Sequence, residues 1–370
     1  MQDAPTPDAI APEVIAPPSL SRGQLLRELD RFARPSNAKG LWLFAREYMV
    51  YWTAIALVLF APWLAVKIIA SFFAGFKLTS FYTLAHDAAH RTLVANRRLN
   101  WWLAMFMGIP SGQNYRMWTL DHNGGHHPKT NGEAVDFYRP YSKAEFDKLP
   151  RITQIAERIA RSPTLIAFGF NFLFRWLLPL RLCPTAATPP QHRRAALRYF
   201  AAMMAYHAAF IAFLCFVPAF APVSTATAFI LGWLLPVCVF STISGGSLYL
   251  MHTNRRIPWF RIDTPRTGDF APELCAVHLT LPDTISRLVH NVYAHVAHHA
   301  HAGIPSYLLL DAQKHLDKAL GSRAVVEPMS LSGALASLKA CKLYDYDKHQ
   351  WLDFNGKPTA PPIRLHSRGS

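Results

Sequence analysis

Histidine is clustered along this chain in spacings that suit metal binding. Three segments stand out: "HDAAH" (His86, His90), "HNGGHH" (His122, His126, His127) and "HVAHH" (His295, His298, His299), with a single His252 in "LYLMHTNRR". Residues three and four apart on an α-helix share a face, with Cβ atoms roughly 5–6 Å apart, so each segment can offer two or three nitrogens to one site. Imidazole suits zinc, copper, iron and nickel. A structural zinc takes four ligands and a catalytic zinc about three, so nine histidines are enough for two ions of partial coordination. No ExxH sequence occurs, which excludes the carboxylate-rich di-iron bundle built from such pairs. A pair of irons held almost wholly by neutral imidazoles, with open positions for dioxygen, fits the count and the ligand type.

The elements that must position these residues are apolar. Of 370 residues 51% are hydrophobic and only 16% charged, the balance of a membrane protein. The excess of Lys and Arg, +15 in all, would suit nucleic acid in a water-soluble chain; here it has a simpler use at the cytoplasmic face of a bilayer, and no nucleic-acid partner is expected. Spans are predicted at about 48–66, 68–85, 197–217 and 226–251, the last kinkable at Pro236. They form two helical hairpins. Basic residues before the first span and after the second and fourth place both termini and the 91–196 segment in the cytoplasm. An even number of crossings therefore puts every clustered histidine at one cytosolic level, at helix ends or just beyond. One such residue would read as an ordinary surface histidine; nine on one plane do not.

Smaller features complete the frame. Lys77, about two turns above the cytosolic end of the second span, must snorkel or face the bundle interior. The stretch 164–180 is interrupted by Arg175 and reads as interfacial, and 99–110 is too short to span. Residues 1–40 read as a disordered cytosolic tail, without the basic start and apolar run of a signal peptide; 41–340 form the main domain and 341–370 a cytosolic C-terminal segment. Five scattered cysteines imply no disulfide framework.

With the three boxes in this order, and two spans between the second and third, the chain resembles the membrane fatty acid desaturases. It is most similar to the acyl-lipid omega-6 (Δ12-type) branch, in "HNVYAHVAHHAHAGIPSYLLLDAQ" (290–313) and in "ACKLYDYDKHQWLDFNGKP" (340–358). The resemblance runs from about residue 45 to 358. It implies an all-α integral membrane protein, four transmembrane helices in two hairpins, with a cytosolic helical cap carrying a histidine-ligated di-iron site. By it, His86, His90, His122, His126, His127, His295, His298 and His299 are iron ligands, and His252 matches a further family histidine. The second box is HxxxHH where many Δ12-type members have HxxHH, which leaves open the exact product and which iron His126 and His127 serve. His290, His301, Asp87 and Asp121 are candidates to hydrogen-bond and orient ligands.

The implied cofactors are two Fe ions, with O2 as co-substrate. The implied reaction removes two hydrogens from adjacent methylenes of an acyl-lipid substrate and leaves a cis double bond. The chain has no HPGG haem motif and no Rossmann glycine fingerprint, so electrons must come from a separate donor, a ferredoxin or a cytochrome with its reductase. The acyl chain is expected in an apolar tunnel near Trp101, Trp102 and Trp118, and the protein in a bacterial inner membrane with its active site cytoplasmic. Lipid or carotenoid hydroxylation or ketolation is the rival reaction. A histidine-rich metal transporter is the rival of another class, and the placement of the histidines at helix ends rather than near the midplane speaks against it.

Overall fold

The computed structural model describes residues 21–133, 138–174, 183–186, 188–261, 264 and 271–363. It opens with α1 (Arg22–Leu29), whose start is closed by a capping box: the Ser21 hydroxyl accepts from the Gln24 amide, and the Gln24 side chain accepts from the Ser21 amide. Leu25 and Leu29, one turn apart, bury against Ala297, Ile304 and Leu309. Residues 21–40, expected within a disordered tail, are therefore ordered, because an apolar stripe on α1 finds cover near the third histidine box. The rest of that expected tail, 1–20, lies outside the described residues.

Four helices are long and apolar enough to cross a membrane: Asn37–Phe60, Leu64–Ala89, Pro190–Ala219 and Thr225–His252. The first two, α2 (Asn37–Phe60) and α3 (Leu64–Ala89), pack along each other. Ala61 is extended, as the residue before a proline tends to be, so the first span ends at Phe60 rather than at the expected 66. Next come α4 (Arg97–Gly108), about 18 Å long at 1.5 Å per residue and too short to cross, and α5 (Tyr115–Trp118), which runs into a π-helical segment over Thr119–His126. Then follow α6 (Lys143–Lys148), α7 (Arg151–Ala160) and α8 (Leu165–Phe170).

The third long helix is α9 (Pro190–Phe216) with a short 3-10 extension; the fourth is α10 (Thr225–Phe229) continued by a π turn, Ile230–Leu234, into α11 (Leu235–His252). Pro236 lacks an N–H, and the expected kink takes the form of that π turn immediately before it. Beyond the spans, α12 (Asp283–Leu288), α13 (His295–Ala300), α14 (Ser306–Leu320) and α15 (Leu331–Ala340) build the region around the histidines.

The expectation of a purely α fold needs correction. A parallel pair joins β1 (Val277–Thr280) to β2 (Val325–Pro328), and an antiparallel pair joins β3 (Leu343–Asp345) to β4 (Gln350–Leu352). These short runs hold β-branched and aromatic residues that fit a pleated surface. Trp351 and Tyr344 are fully buried beside Tyr249 and Phe168, so these strands of the C-terminal segment pack against the body of the chain.

The spans share a core that includes Tyr51, Val58, Phe81 and Leu214, while Trp52, Phe60, Ile69, Phe72, Phe73 and Phe216 are exposed on their outer faces. Such an apolar exterior belongs in lipid. Lys77 takes the interior option: its ammonium donates to Glu47 Oε2 at 2.6 Å, and the Glu47 side chain is fully buried.

The stretch read as interfacial is described only to Phe174. Its helix α8 packs on α11, where Gly245 lets the two backbones touch: a Cβ there would lie 2.2 Å from the Phe168 carbonyl oxygen and 2.9 Å from the Phe172 Cβ. Backbone has no rotamer to give, so Gly245→Ala is expected to lower stability by about 1–3 kcal/mol. Thermal unfolding in detergent checks this, with Gly23→Ala, whose Cβ would meet only a flexible arginine tip at 3.7 Å, expected to show no loss.

Candidate metal centre

α3 ends with His90 as its cap, and His86, four residues earlier, lies on the same face. Imidazole Nε2 of His86 sits 3.0 Å from Nε2 of His122, which in turn lies 3.1 Å from Nε2 of His127. His298 comes in from α13, its ring centroid 4.4 Å from His86 and 4.9 Å from His90. These five form one group that could hold a metal ion. His126, His252, His295 and His299 form a second, buried group. Nε2 of His295 lies 2.8 Å from that of His252 and 3.1 Å from that of His299.

The chemistry of this donor set fits metal ions. A neutral imidazole carries one N–H and one lone pair, so a web of facing Nε2 atoms is poorly satisfied by hydrogen bonds alone. Two nitrogens each about 2.0–2.1 Å from one ion, at a right angle, lie about 3 Å apart, which is the separation observed. The buried Nε2 atoms of His90 and His298 have no hydrogen-bond partner, and each such orphan costs about 1–3 kcal/mol unless a ligand takes its lone pair. Burial first, and the neighbouring imidazoles second, hold the pKa of His90, His122, His127, His295, His298 and His299 well below the ordinary histidine range. The rings are therefore neutral at pH 7, the form that binds metal.

Local backbone decides which box residue joins which group. In the second box the π-helical turn carries an amide bond from His127 to the His122 carbonyl, five residues back, at 3.1 Å. Residues five apart then share a face, so His127 joins His122 while His126 turns to the other group. The third box also divides. His295 and His299 (i, i+4) meet in the second group and His298 crosses to the first, although the spacing alone put all three on one site. That helix stops at Ala300.

The residues expected to orient ligands have separate fates. Asp87 is buried; Oδ1 lies 3.5 Å from His86 Nδ1 and Oδ2 accepts from the Ser306 amide at 2.7 Å, which ties the end of α3 to the start of α14. His290 is buried with Nε2 3.5 Å from Glu47 Oε1. Asp121 is half-buried in the π-helical segment. His301 is no ligand neighbour: Nε2 bonds Asp30 at 2.9 Å, because α1 and the turn after it cover that side.

Two residues support the imidazoles in ways the sequence did not suggest, Trp118 having been expected at the acyl tunnel instead. Trp118 is buried and stacks on His122 at 4.2 Å, with His86 and His90 rings edge-on at 5.1 and 5.5 Å. Thr130 donates its hydroxyl to the His126 carbonyl at 2.9 Å and so accepts from His299 Nδ1 at 3.0 Å. That bond leaves the lone pair of His299 on Nε2, facing its group. Thr130→Val is expected to weaken metal retention about 10- to 100-fold, measurable as the chelator concentration that strips the protein.

Beside both groups lies a cavity lined by Tyr82, Thr83, Leu248, Met251, Val292 and Leu309 together with several of the histidines. Trp101, Trp102 and Trp118 do not line it. Trp118 is behind the histidines, and Trp102 is half exposed on the outer face of α4.

Residues 59–327 match the family model of fatty acid desaturases. The chain is 25% identical over 265 residues to an sn-1 oleoyl-lipid 12-desaturase of Arthrospira platensis, covering 70% of this chain and 69% of that one. It is 24% identical over 308 residues to an sn-1 oleoyl-lipid 12-desaturase of Picosynechococcus sp., covering 81% and 82%. A chloroplastic omega-6 fatty acid desaturase of Glycine max is 24% identical over 314 residues, covering 82% and 69%. The match spans three of the four long apolar helices, the last two residues of the first, and both imidazole groups, and the chain belongs to the fatty acid desaturase family of oxidoreductases.

Proposed function

We propose that this protein introduces a cis double bond, of the Δ12/omega-6 type, into the acyl chain of a membrane lipid, using O2 and a di-iron centre. The observation that carries this reading is the pair of imidazole groups, one fully and one partly buried, beside one mostly apolar cavity at the ends of α3 and α11. His86, His90, His122, His127 and His298 would hold one iron; His126, His252, His295 and His299 would hold the other. When bound, the irons supply the reduction of dioxygen and the removal of two hydrogens from adjacent methylenes. The overall balance is one O2, two donor electrons, two protons and the two substrate hydrogens, giving two waters.

The chain's own residues handle position. Leu248, Met251, Val292 and Leu309 offer the acyl chain an apolar bed beside the imidazoles, and that bed excludes water from the reacting carbons. Asp87 and Thr130 hold His86 and His299 in orientation. The spans form two hairpins in a bacterial inner membrane, the remaining helices form a cytosolic cap, and both termini are cytoplasmic. A ferredoxin or a cytochrome with its reductase docks on the basic cytosolic face and delivers the electrons. The names of the relatives from Arthrospira platensis and Picosynechococcus sp. support the Δ12 position and an acyl-lipid substrate.

The test is expression in a host that lacks polyunsaturated fatty acids, with a competent donor supplied, followed by lipid analysis. New dienoic chains with the second bond at the Δ12 position are expected. Oxygenated lipids would assign the hydroxylase reaction instead, and unchanged lipids would count against both.

A further inference from the structure

A second cavity, of about 360 Å³, lies next to the central one, between the first turns of α2, the end of α12 and the start of α14. Lys39, Arg46 and Arg287 line it, against one carboxylate, Asp311, among its described lining residues. Arg46 is engaged by Glu47. Lys39 lies over the Tyr307 ring at 5.6 Å, and Arg287 is exposed beside Asp283, which is itself paired with Lys314 at 2.5 Å. Among the described residues these two cations have no carboxylate within salt-bridge distance.

The wall between the two cavities has unmet polarity as well. His290 and Ser306 line both cavities and are 3% and 2% exposed. Ser306 Oγ is buried without a hydrogen-bond partner, while His290 Nε2 lies 3.5 Å from Glu47 Oε1. On α12, near Arg287 in sequence, Ile285 and Leu288 are 45% and 58% exposed. The helix that carries Arg287 therefore presents apolar side chains to an acyl layer while its guanidinium reaches the level of lipid headgroups.

We propose that this cavity binds the phosphate of the acyl carrier. Lys39 and Arg287 hold the phosphate through charge-assisted hydrogen bonds, Ser306 donates to the ester carbonyl, and the acyl chain passes His290 and Ser306 into the central cavity. This deepens the desaturase reading above and rests on it. The exposed apolar residues of α12 favour a glycerophospholipid; the phosphates of an acyl-coenzyme A offer the same chemistry.

The test uses iron-loaded protein with its reductant in mixed micelles, comparing wild type with the double variant Lys39→Gln, Arg287→Gln. Three oleoyl substrates are supplied: phosphatidylglycerol, coenzyme A thioester and the uncharged monogalactosyl diacylglycerol. The expected result is an apparent KM about tenfold higher for phosphatidylglycerol, the loss of two exposed charge-assisted contacts, with kcat and the galactolipid KM unchanged. A rise confined to the thioester would support the phosphate site and reassign the carrier. An unchanged KM for both phosphate-bearing substrates, or an equal rise for the galactolipid, would overturn the proposal. Cross-linking of a photoactivatable phosphatidic acid needs no turnover: labelling at Tyr307 and Leu308 that the double variant abolishes supports the site, and labelling that is absent or survives in the variant refutes it. If no substrate is desaturated, the desaturase reading fails while the cross-link still reports on the cavity.

Discussion

Alanine at His252 is expected to cost the protein one of the two proposed irons and at least about a hundredfold of its activity, although this histidine lies outside all three boxes. Its Nε2 is 2.8 Å from that of His295, and the second group has only four members. Removing one leaves three imidazoles, and even an indirect partner of a ligand costs 10- to 100-fold in affinity or activity. His298→Ala should act comparably through the first group, which retains four. His301→Ala, by contrast, should leave iron and activity in place, since its ring faces Asp30. Iron per protein and dienoic product, measured on the three variants side by side, check all of this. Two irons and full activity in His252→Ala would remove it from the centre.

Loss of the Glu47 carboxylate is expected to be the most damaging change away from the metal groups. Glu47 is fully buried within α2 and binds the Lys77 ammonium of α3 at 2.6 Å, with the Arg46 guanidinium on its other oxygen. Glu47→Ala strands Lys77 between two spans, where an uncompensated buried charge costs about 3–5 kcal/mol. Replacing both partners, as in Glu47→Leu with Lys77→Met, removes the charges together and should recover most of that loss, because well-packed apolar residues often match a buried ion pair. Denaturation midpoints in detergent for the two single variants and the double form a cycle. Additive losses would mean that the pair is not coupled and that Lys77 reaches water by another route.

Several features are local enough to be legible in order along the chain. Mean apolarity over about twenty residues marks a span whatever it packs against, and a long apolar helix stands at each of the four, although the first runs Asn37–Phe60 against the expected 48–66. An even number of spans returns every histidine cluster to one side. The i, i+4 spacing of His86 and His90 put both on one face, and the structure keeps them in one group. What neither spacing nor charge could reveal was a helix in the wrong class. The HNGGHH segment was read on α-helical spacing, but it winds as a π-helix, and that change of pitch is what sends His126 and His127 to different groups.

The sequence by itself determined the type of the candidate ligands and the number of helices long and apolar enough to cross a membrane, since each follows from composition or from contacts within one turn of helix. Tertiary structure alone decided the partition of nine imidazoles into groups of five and four, the partner of Lys77, the role of Thr130 and the release of His301 to Asp30. Those depend on which faces of separately folded helices meet. Glu47 lies 30 residues from Lys77, and Thr130 lies 169 from His299; packing sets these pairs, and no pattern within a single helix encodes them.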